Sequence, residues 1–197
     1  QAYSDSLHNH PDWHPFSYLN NSYHRDADME NMIDCGTTLL LSPGVVQVFY
    51  GDETGRGLSD ARLNVDCNQA FRSDMNWENI NHEQLEHFQK LGRIRQANPV
   101  IATGKQKTID THTCLRYDDN DKVLIRVLPC DSQAIPVDGI FPDGAYVTEL
   151  YSGSSAIVNN GVVVFPRFEN NIAIIKKAKS HSHMLTLMTE RADSLED

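Results

Sequence analysis

The stretch VVQVFYGDE, residues 45–53, decides how the first half of the chain is interpreted. Its first six residues are nearly all apolar, β-branched or aromatic, and the run then ends abruptly at Gly51, Asp52 and Glu53. A continuous apolar run of this kind predicts a strand buried on both faces, as in a parallel sheet. The two carboxylates are then expected at the C-terminal end of a strand, where the loops of parallel α/β folds carry function.

Helical patterns on both sides of this stretch predict an α/β arrangement. Apolar or small residues recur on one helical face between residues 26 and 41, and Pro43 with Gly44 is expected to end that helix. A second helix is predicted over 82–97, with Asn81 as its N-cap. With a short strand predicted over 16–21, the order of elements is β-α-β-α, which is typical of parallel α/β folds.

The second half of the chain has a different sequence pattern. Short apolar segments alternate with turn signals: HTCLRY and KVLIRVL flank DDND, and AYVTELY, GVVVFP and NIAIIKK follow. Five such strands predict a small antiparallel β-sandwich. The predicted organisation is therefore an α/β region over 1–103, an antiparallel β domain over 104–177 and a polar tail over 178–197.

The charge balance limits the class of partner. The chain carries 17 Lys and Arg against 27 Asp and Glu, a formal net charge of −10. Nucleic acids and membrane surfaces are anionic, so we expect neither as a partner. No apolar stretch approaches the roughly 20 residues that a membrane-spanning helix needs. The composition favours a neutral or small-molecule ligand.

Three sequence elements in order resemble the end of the catalytic barrel in the α-amylase family of glycoside hydrolases. They are SPGVVQVFYGDETG (42–55), RSDMNW (72–77) and LEHFQKLGRIRQANPVIATGKQ (85–106). The resemblance extends over residues 16–176 and is closest to the bacterial periplasmic type. It implies the last two βα units of a TIM-type (β/α)8 barrel, followed by the small antiparallel β-sandwich domain of that family.

The resemblance also implies a reaction. Such enzymes cleave α-1,4-glucosidic bonds in starch-like glucans, with a nucleophile and an acid about 5–5.5 Å apart. In the family these two carboxylates follow the fourth and fifth barrel strands. A complete barrel takes about 250 residues, and only about 100 precede the β domain in this chain. We interpret these as the seventh and eighth units, expect the chain alone to be inactive, and consider the missing N-terminal half of the barrel a possible partner.

Site residues follow from the resemblance residue by residue. Asp52 and Glu53 correspond to loop acids that shape the rim of the site and are not catalytic. Tyr50 and Trp77 are candidates for stacking against a sugar ring. The α-glucan substrate is the expected ligand.

The third catalytic acid of the family follows the seventh strand, where this chain reads NNSYHRD (20–26). The family motif places His next to Asp, whereas Arg25 separates His24 from Asp26 here. One interpretation makes Asp26 the transition-state acid and His24 a sugar ligand. The other makes Asp26 the cap of the helix that follows it.

No cofactor or metal site is predicted in this chain. Family members often bind calcium through a domain inserted earlier in the barrel, so calcium is an expectation for the full-length enzyme only. The four cysteines lack the C-x-x-C spacing of zinc or redox sites. The resemblance implies a periplasmic or extracellular location. An alternative function stays open, namely a catalytically dead amylase-like module that binds glycan or protein.

Overall fold

The computed structural model describes residues 29–56, 74–127 and 133–178, with side chains from residue 32 onward. The chain divides into two compact units, Gln1–Ala97 (unit 1) and Asn98–Asp197 (unit 2). The strand predicted over 16–21 and nearly all of the predicted polar tail lie outside the described residues. No helix within the described ranges is both long enough and apolar enough to cross a bilayer.

Among its described residues, unit 1 contains two helices, α1 (Met29–Leu41) and α2 (His82–Ala97), which pack against each other. Gly36 of α1 faces the ring of Phe88, and a Cβ at this glycine would lie only 2.5 Å from the ring carbon Cζ. The missing side chain therefore lets the aromatic ring enter the helix interface. Both helix predictions are confirmed, and α2 has the bounds predicted from its apolar stripe.

The end of α1 is held by a side chain from α2. Nη1 of Arg95 donates to the carbonyl oxygens of Leu40 (2.8 Å) and Ser42 (2.6 Å), and Nη2 donates to that of Gly44. The last carbonyls of a helix have no partner within the helix and carry partial negative charge. The guanidinium satisfies these acceptors, so Arg95 contributes both hydrogen bonds and a favourable charge.

The prediction of a buried strand over 45–50 is wrong for this structure. Residues 45–49 have no regular secondary structure, and Val45, Phe49 and Tyr50 are exposed. A central parallel strand takes its hydrogen bonds from neighbours on both edges. None of the described segments pairs with 45–50, because every strand pair among the described residues belongs to unit 2. The assignment of α1 and α2 to two βα units, and the strands of those units, stay a prediction.

Unit 2 begins with a short helix and continues as antiparallel β structure. The helix α3 spans Val100–Thr103. The strands are β1 (Lys105–Thr108), β2 (Thr113–Tyr117), β3 (Lys122–Val127), β4 (Ala134–Pro136), β5 (Tyr146–Glu149), β6 (Ser155–Ile157), β7 (Val162–Val164) and β8 (Ile172–Lys177). A single 3₁₀ turn, Glu169–Asn171, precedes β8.

The strands form two antiparallel sheets around one core. The larger sheet has the order β1-β2-β3-β8-β5-β6, and the smaller pairs β4 with β7. Alternate residues of both sheets meet in a single apolar cluster that includes Leu124 and Ile175 from the larger sheet and Ile135 and Val163 from the smaller. This inward alternation is the pattern of a β-sandwich. The predicted antiparallel β region is confirmed, including all five predicted strands.

Three further strands were not predicted. The residues of β1 read KQKT and are all exposed, so they carry no apolar alternation. The strands β4 and β6 have only three residues each, and β4 includes Pro136. Each of these strands exists through pairing with a stronger neighbour, which a local pattern does not reveal.

A buried carboxylate terminates β5. Glu149 is fully buried, and its side chain accepts three backbone hydrogen bonds, from the amides of Tyr151 (2.9 Å), Ser152 (2.6 Å) and Ile174 (3.0 Å). The chain leaves β5 here for the turn that leads to β6, and the carboxylate accepts from two amides of that turn and from one amide of the neighbouring strand β8. The sequence pattern gave no indication of this role.

Candidate functional site

The acidic stretch that follows residue 50 forms a compact turn over residues 49–56. Gly51 has a φ of +90°, a conformation that costs other residues more than glycine. Its carbonyl oxygen accepts from the amides of Thr54 (3.2 Å) and Arg56 (2.8 Å), and the amide of Asp52 donates to the carbonyl oxygen of Phe49 (3.1 Å). The turn is therefore organised around Gly51 by contacts within eight residues.

The two acids of this turn are held differently. The Oε2 atom of Glu53 accepts from the amide of Gly51 at 2.9 Å, so this carboxylate closes its own turn. The backbone carbonyl of Asp52 accepts from the side-chain amide of Gln84, which is buried in α2. Contacts of this kind belong to residues that shape a loop, which is the role predicted for both acids. That role itself stays a prediction.

Asn76 fastens the turn to the segment that contains Trp77. Its Nδ2 donates to the carbonyls of Thr54 (3.0 Å) and Asn79 (2.8 Å), and its Oδ1 accepts from the hydroxyl of Thr54 at 2.7 Å. The residue before Trp77 is thus anchored, whereas the indole is 71% exposed.

The N-terminus of α2 completes the network. Asn81 caps the helix by accepting from the amide of Gln84 at 3.1 Å, as predicted, and its own amide donates to the carbonyl of Thr54 at 2.9 Å. Sequence reasoning missed Gln84, although it stands three residues after the cap, where glutamine and glutamate are typical. Asn76 gave no comparable signal, because its contacts depend on the folded turn.

Tyr50 lies at the start of the turn with Arg56 against its ring. The guanidinium carbon lies 4.4 Å from the Tyr50 ring centroid and 5.9 Å from that of Phe49, and Nη2 donates to the Tyr50 carbonyl at 3.2 Å. This cation–π contact fixes the ring and covers part of one face. Sequence reasoning also missed Arg56, because a lone arginine after a glycine has no distinctive spacing.

The structure brings Tyr50 and Glu53 together at one groove of unit 1. The groove has a volume of about 390 Å³ and mostly apolar walls. It is lined by Leu40, Val48, Tyr50, Glu53, Leu85, Phe88 and Gln89. Trp77 is not among the lining residues. Tyr50 therefore lies at the groove, whereas Trp77 lies on the exposed segment beside the turn.

The remaining predicted residues are not tested by the geometry. His24 and Asp26 lie outside the described residues. Within the described ranges, no group of three His, Cys, Asp or Glu side chains is placed to hold a metal ion. Cys35 and Cys114 are free thiols, and burial raises the pKa of Cys114.

One buried titratable group stands close to the groove. His87 of α2 lies 2.9 Å from the hydroxyl of Thr37, which itself donates to the carbonyl of Ile33 at 2.8 Å. The direction of the hydrogen bond between His87 and Thr37 depends on the tautomer of the imidazole. Burial, and more weakly the charge of Lys90, lowers the His87 pKa to about 4, against the opposing effect of the Ile33 carbonyl. The imidazole is therefore neutral at pH 7 and joins the two helices.

Comparison with known proteins relates the chain to α-amylases. No protein-family model matches it. It is 39% identical over 93 residues to the periplasmic alpha-amylase of Escherichia coli (strain K12), a match that covers 44% of this chain and 14% of the relative. The chain thus spans a small part of the length of the curated relative it matches.

Solved structures share the fold over a larger part of the chain. The Anoxybacillus alpha-amylase aligns over 77% of this chain and 33% of its own, with a TM-score of 0.62 and 18% identity. The alpha-amylase of Geobacillus thermoleovorans, complexed with acarbose, covers 77% and 34%, with a TM-score of 0.60 and 13% identity. AmyP in complex with maltose covers 77% and 35%, at 0.57 and 14%. The chain is similar to the C-terminal portion of α-amylases, so the predicted resemblance is confirmed.

Proposed function

We propose that the chain is the C-terminal part of an α-amylase-type glycoside hydrolase that cleaves α-1,4-glucosidic bonds in starch-like glucans. The observation that carries the proposal is the 39% identity over 93 residues with a periplasmic α-amylase. Amylases of similar fold have been crystallised with maltose and acarbose, which supports an α-glucan as the ligand of this chain. The same curated relative supports a periplasmic or extracellular location.

In this proposal α1 and α2 are the helices of the seventh and eighth βα units of a (β/α)8 barrel. Residues 45–50 become the eighth strand when neighbouring strands supply backbone partners on both edges. The composition of this segment suits that state, since it is apolar almost throughout. Its exposure fits a segment for which the described residues supply no paired strand.

The proposed role of unit 1 is to shape one wall of the glucan site. The turn over 49–56 is fixed by Gly51, Asn76 and Gln84, and it presents Tyr50 at its start. Glu53 is occupied by the Gly51 amide and therefore serves the turn. Trp77, on the anchored segment beside it, offers an exposed indole for stacking on a sugar. Asp26 as transition-state acid and His24 as sugar ligand remain part of the proposal.

We further propose that these 197 residues alone do not hydrolyse glucans. Retaining hydrolysis needs a nucleophile and an acid on either side of one bond, and by the resemblance both belong to barrel strands other than those assigned here. The contributions of residues that act as one catalytic unit to the reaction rate are strongly non-additive, so the loss of one residue removes most of the rate acceleration. The adjacent Asp52 and Glu53 are no substitute, because Glu53 is committed to its own turn.

A chimera tests the proposal. The segment of the E. coli periplasmic α-amylase that matches this chain is replaced by the corresponding residues of this chain, and turnover of a chromogenic maltoside is measured. We expect the chimera to keep activity within about tenfold of the parent and the isolated 197-residue chain to show none. A control chimera with Gly51→Val, which strains the positive φ, should lose activity while still binding starch.

Two outcomes contradict the proposal. A correctly folded chimera without activity means that this chain is not equivalent to the enzyme's C-terminal part and favours the dead-module alternative. Turnover by the isolated chain at about 1 s⁻¹, an ordinary enzymatic rate, contradicts the predicted inactivity, provided that Asp52→Asn or Asp26→Asn abolishes it and so excludes a contaminant.

A further inference from the structure

The turn between β6 and β7 contains the pair Asn160-Gly161, and this pair of residue types occurs once in the 197 residues. Asn160 has a φ of +49° and Gly161 a φ of +70°. Positive φ at both central residues is the pattern of a two-residue turn for which Asn-Gly is the preferred sequence. Asn159 and Val162 close the turn through two backbone hydrogen bonds, of 2.9 and 3.1 Å. The turn connects a strand of the larger sheet to a strand of the smaller one.

The same pair of residues is chemically labile. The backbone nitrogen that follows an asparagine can attack the carbon of the side-chain amide and displace ammonia, which is one reason why asparagine counts among the thermolabile residues. A glycine in the following position has no side chain that obstructs this attack. In this chain the attacking atom is the nitrogen of Gly161. Its target is the side chain of Asn160, a residue that is exposed to solvent.

The Gly161 peptide group is held on both sides in the folded chain. Its N–H donates to Oδ1 of Asp143 at 2.8 Å, and its carbonyl oxygen accepts from the amide of Val137 at 2.8 Å. A Cβ on Gly161 would lie 3.0 Å from Cβ of Asp138, so the backbone is also closely packed here. These contacts restrict the backbone rotation that would carry the nitrogen behind the side-chain carbon of Asn160.

Asp143 also opposes the reaction through its charge. The amide of Gly161 has to lose its proton before the nitrogen can attack, and that proton is the one donated to Asp143. The negative nitrogen would then lie at hydrogen-bond distance from a carboxylate, and like charges this close repel each other. The carboxylate therefore occupies the proton that has to leave and disfavours the charge that has to form.

We propose that Asn160 is a modification site whose spontaneous deamidation is suppressed by Asp143 while unit 2 is folded. The inference does not rest on the proposed function. When the turn opens, the deprotonated nitrogen of Gly161 bonds to the side-chain carbon of Asn160. The bond from that carbon to the side-chain nitrogen breaks, and this nitrogen takes up the released proton and leaves as ammonia. A solvent water then opens the cyclic imide, which yields aspartate or isoaspartate at position 160.

The modification changes the connection between the two sheets irreversibly. It adds a negative charge beside Asp143, and isoaspartate also adds a methylene group to the backbone. The strand that follows the turn carries core residues, since Val163 and Phe165 are fully buried and β7 pairs with β4. A displaced β7 therefore loosens the core, and we expect the modified chain to unfold at a lower urea concentration than the unmodified chain.

The test follows the full 197-residue chain over time at mildly alkaline pH. The chain is digested, and mass spectrometry of the peptide that contains residue 160 detects the gain of one mass unit. In guanidinium we expect Asn160 to be modified faster than any other asparagine. In the folded chain we expect its rate to be at least about tenfold lower, because the reaction waits for local opening of the turn. Asp143→Ala should raise the folded rate by about tenfold, the lower end of the effect of a hydrogen bond to a charged group.

Four controls define the result. Asp119→Ala removes an exposed acid from the β2–β3 turn, changes the net charge equally and should leave the rate unchanged. Asp143→Asn keeps an acceptor without the charge and should give an intermediate rate. Asn160→Gly has no side chain to deamidate and should show no mass change at this turn. In guanidinium, Asp143→Ala and the unaltered chain should react at the same rate, because the protection depends on the folded turn.

Three outcomes overturn the inference. Slow modification of Asn160 in guanidinium, relative to other asparagines, means that the site is not labile. Equal rates for the unaltered chain and Asp143→Ala, both shown to be folded by far-UV circular dichroism, mean that Asp143 does not protect it. If Asp143→Ala does not fold, Asp143→Asn decides, and a rate equal to that of the unaltered chain rejects the role of the carboxylate.

Discussion

Replacement of Glu149 by glutamine is expected to destabilise unit 2 far more than its conservative chemistry suggests. The carboxylate accepts from three backbone amides, at 2.9, 2.6 and 3.0 Å, and is fully buried. A glutamine amide has one oxygen, and its NH₂ group meets backbone N–H groups as a second donor. At least one buried amide then loses its partner, at about 1–3 kcal/mol, and hydrogen bonds to a charged group are themselves worth about 1.5–3 kcal/mol.

We therefore expect Glu149→Gln to lower the free energy of unfolding by about 2–4 kcal/mol, a large share of the roughly 5–15 kcal/mol typical of a domain. Both tryptophans precede residue 98, so unit 2 is followed by far-UV circular dichroism in urea. Hydrogen exchange at the amides of Tyr151, Ser152 and Ile174 should accelerate selectively, because these are the groups that the carboxylate protects.

Glu169→Gln is the matched control. Glu169 forms an ion pair with Arg167 at 3.1 Å on the surface, with the arginine side chain 77% exposed. Exposed pairs contribute about 0–1 kcal/mol, so this variant should unfold close to the unaltered chain. If both glutamine variants unfold at the same urea concentration, the carboxylate of Glu149 does not hold the turn after β5 and the reasoning fails.

Three further predictions concern unit 1 and are measured by tryptophan fluorescence in urea. Gly36→Ala should destabilise by about 1–3 kcal/mol, since overpacking against Phe88 outweighs the helix propensity gain of about 1 kcal/mol; a more stable variant contradicts this. Asn81→Ala should cost about 1 kcal/mol, whereas Asn81→Ser should cost little, because serine also caps. The pKa of His87 is near 6.5 in the unfolded chain and about 4 in the folded chain. The free energy of unfolding is therefore highest above pH 6.5 and falls by roughly 2–3 kcal/mol as the pH drops toward 4. His87→Gln should remove this pH dependence, and an unchanged pH profile of the variant contradicts the assignment.

The elements that could be predicted from sequence are those with strong local signals. The helix α2 has a cap at Asn81, an apolar stripe through Phe88 and Leu91, and Pro99 beyond its end, and it forms with the predicted bounds. The five predicted strands of unit 2 each combine an apolar run with a turn signal. The three strands that were missed are short or lack apolar alternation, and they form by pairing with β2, β7 and β5. The burial of Glu149 and that of Arg116 depend on contacts made only in the folded chain.

Arg116 illustrates this dependence. It lies in β2 with only 2% of its side-chain surface exposed, and it donates to the carbonyls of Ile101 (3.1 Å) and Gly104 (2.6 Å) and to the side chain of Gln106 (3.1 Å). A sequence pattern places an arginine at this position on the solvent face. The end of α3, however, offers carbonyls without helical partners, and the guanidinium satisfies them. The burial of Arg116 is therefore determined by the end of α3 and not by the alternation of residues along β2.

The contrast between residues 45–50 and the turn that follows shows which part of the candidate site is locally determined. A central strand needs paired strands on both edges, and among the described residues no strand pairs with 45–50, where Val45, Phe49 and Tyr50 are exposed. The turn forms nevertheless, because its hydrogen bonds run from Gly51 to residues at most five positions away and from Asn76 and Gln84 in the same unit. Formation of the strand therefore does not have to precede formation of the turn. In the proposed barrel, the neighbouring strands would be added beside a turn whose hydrogen bonds are already formed.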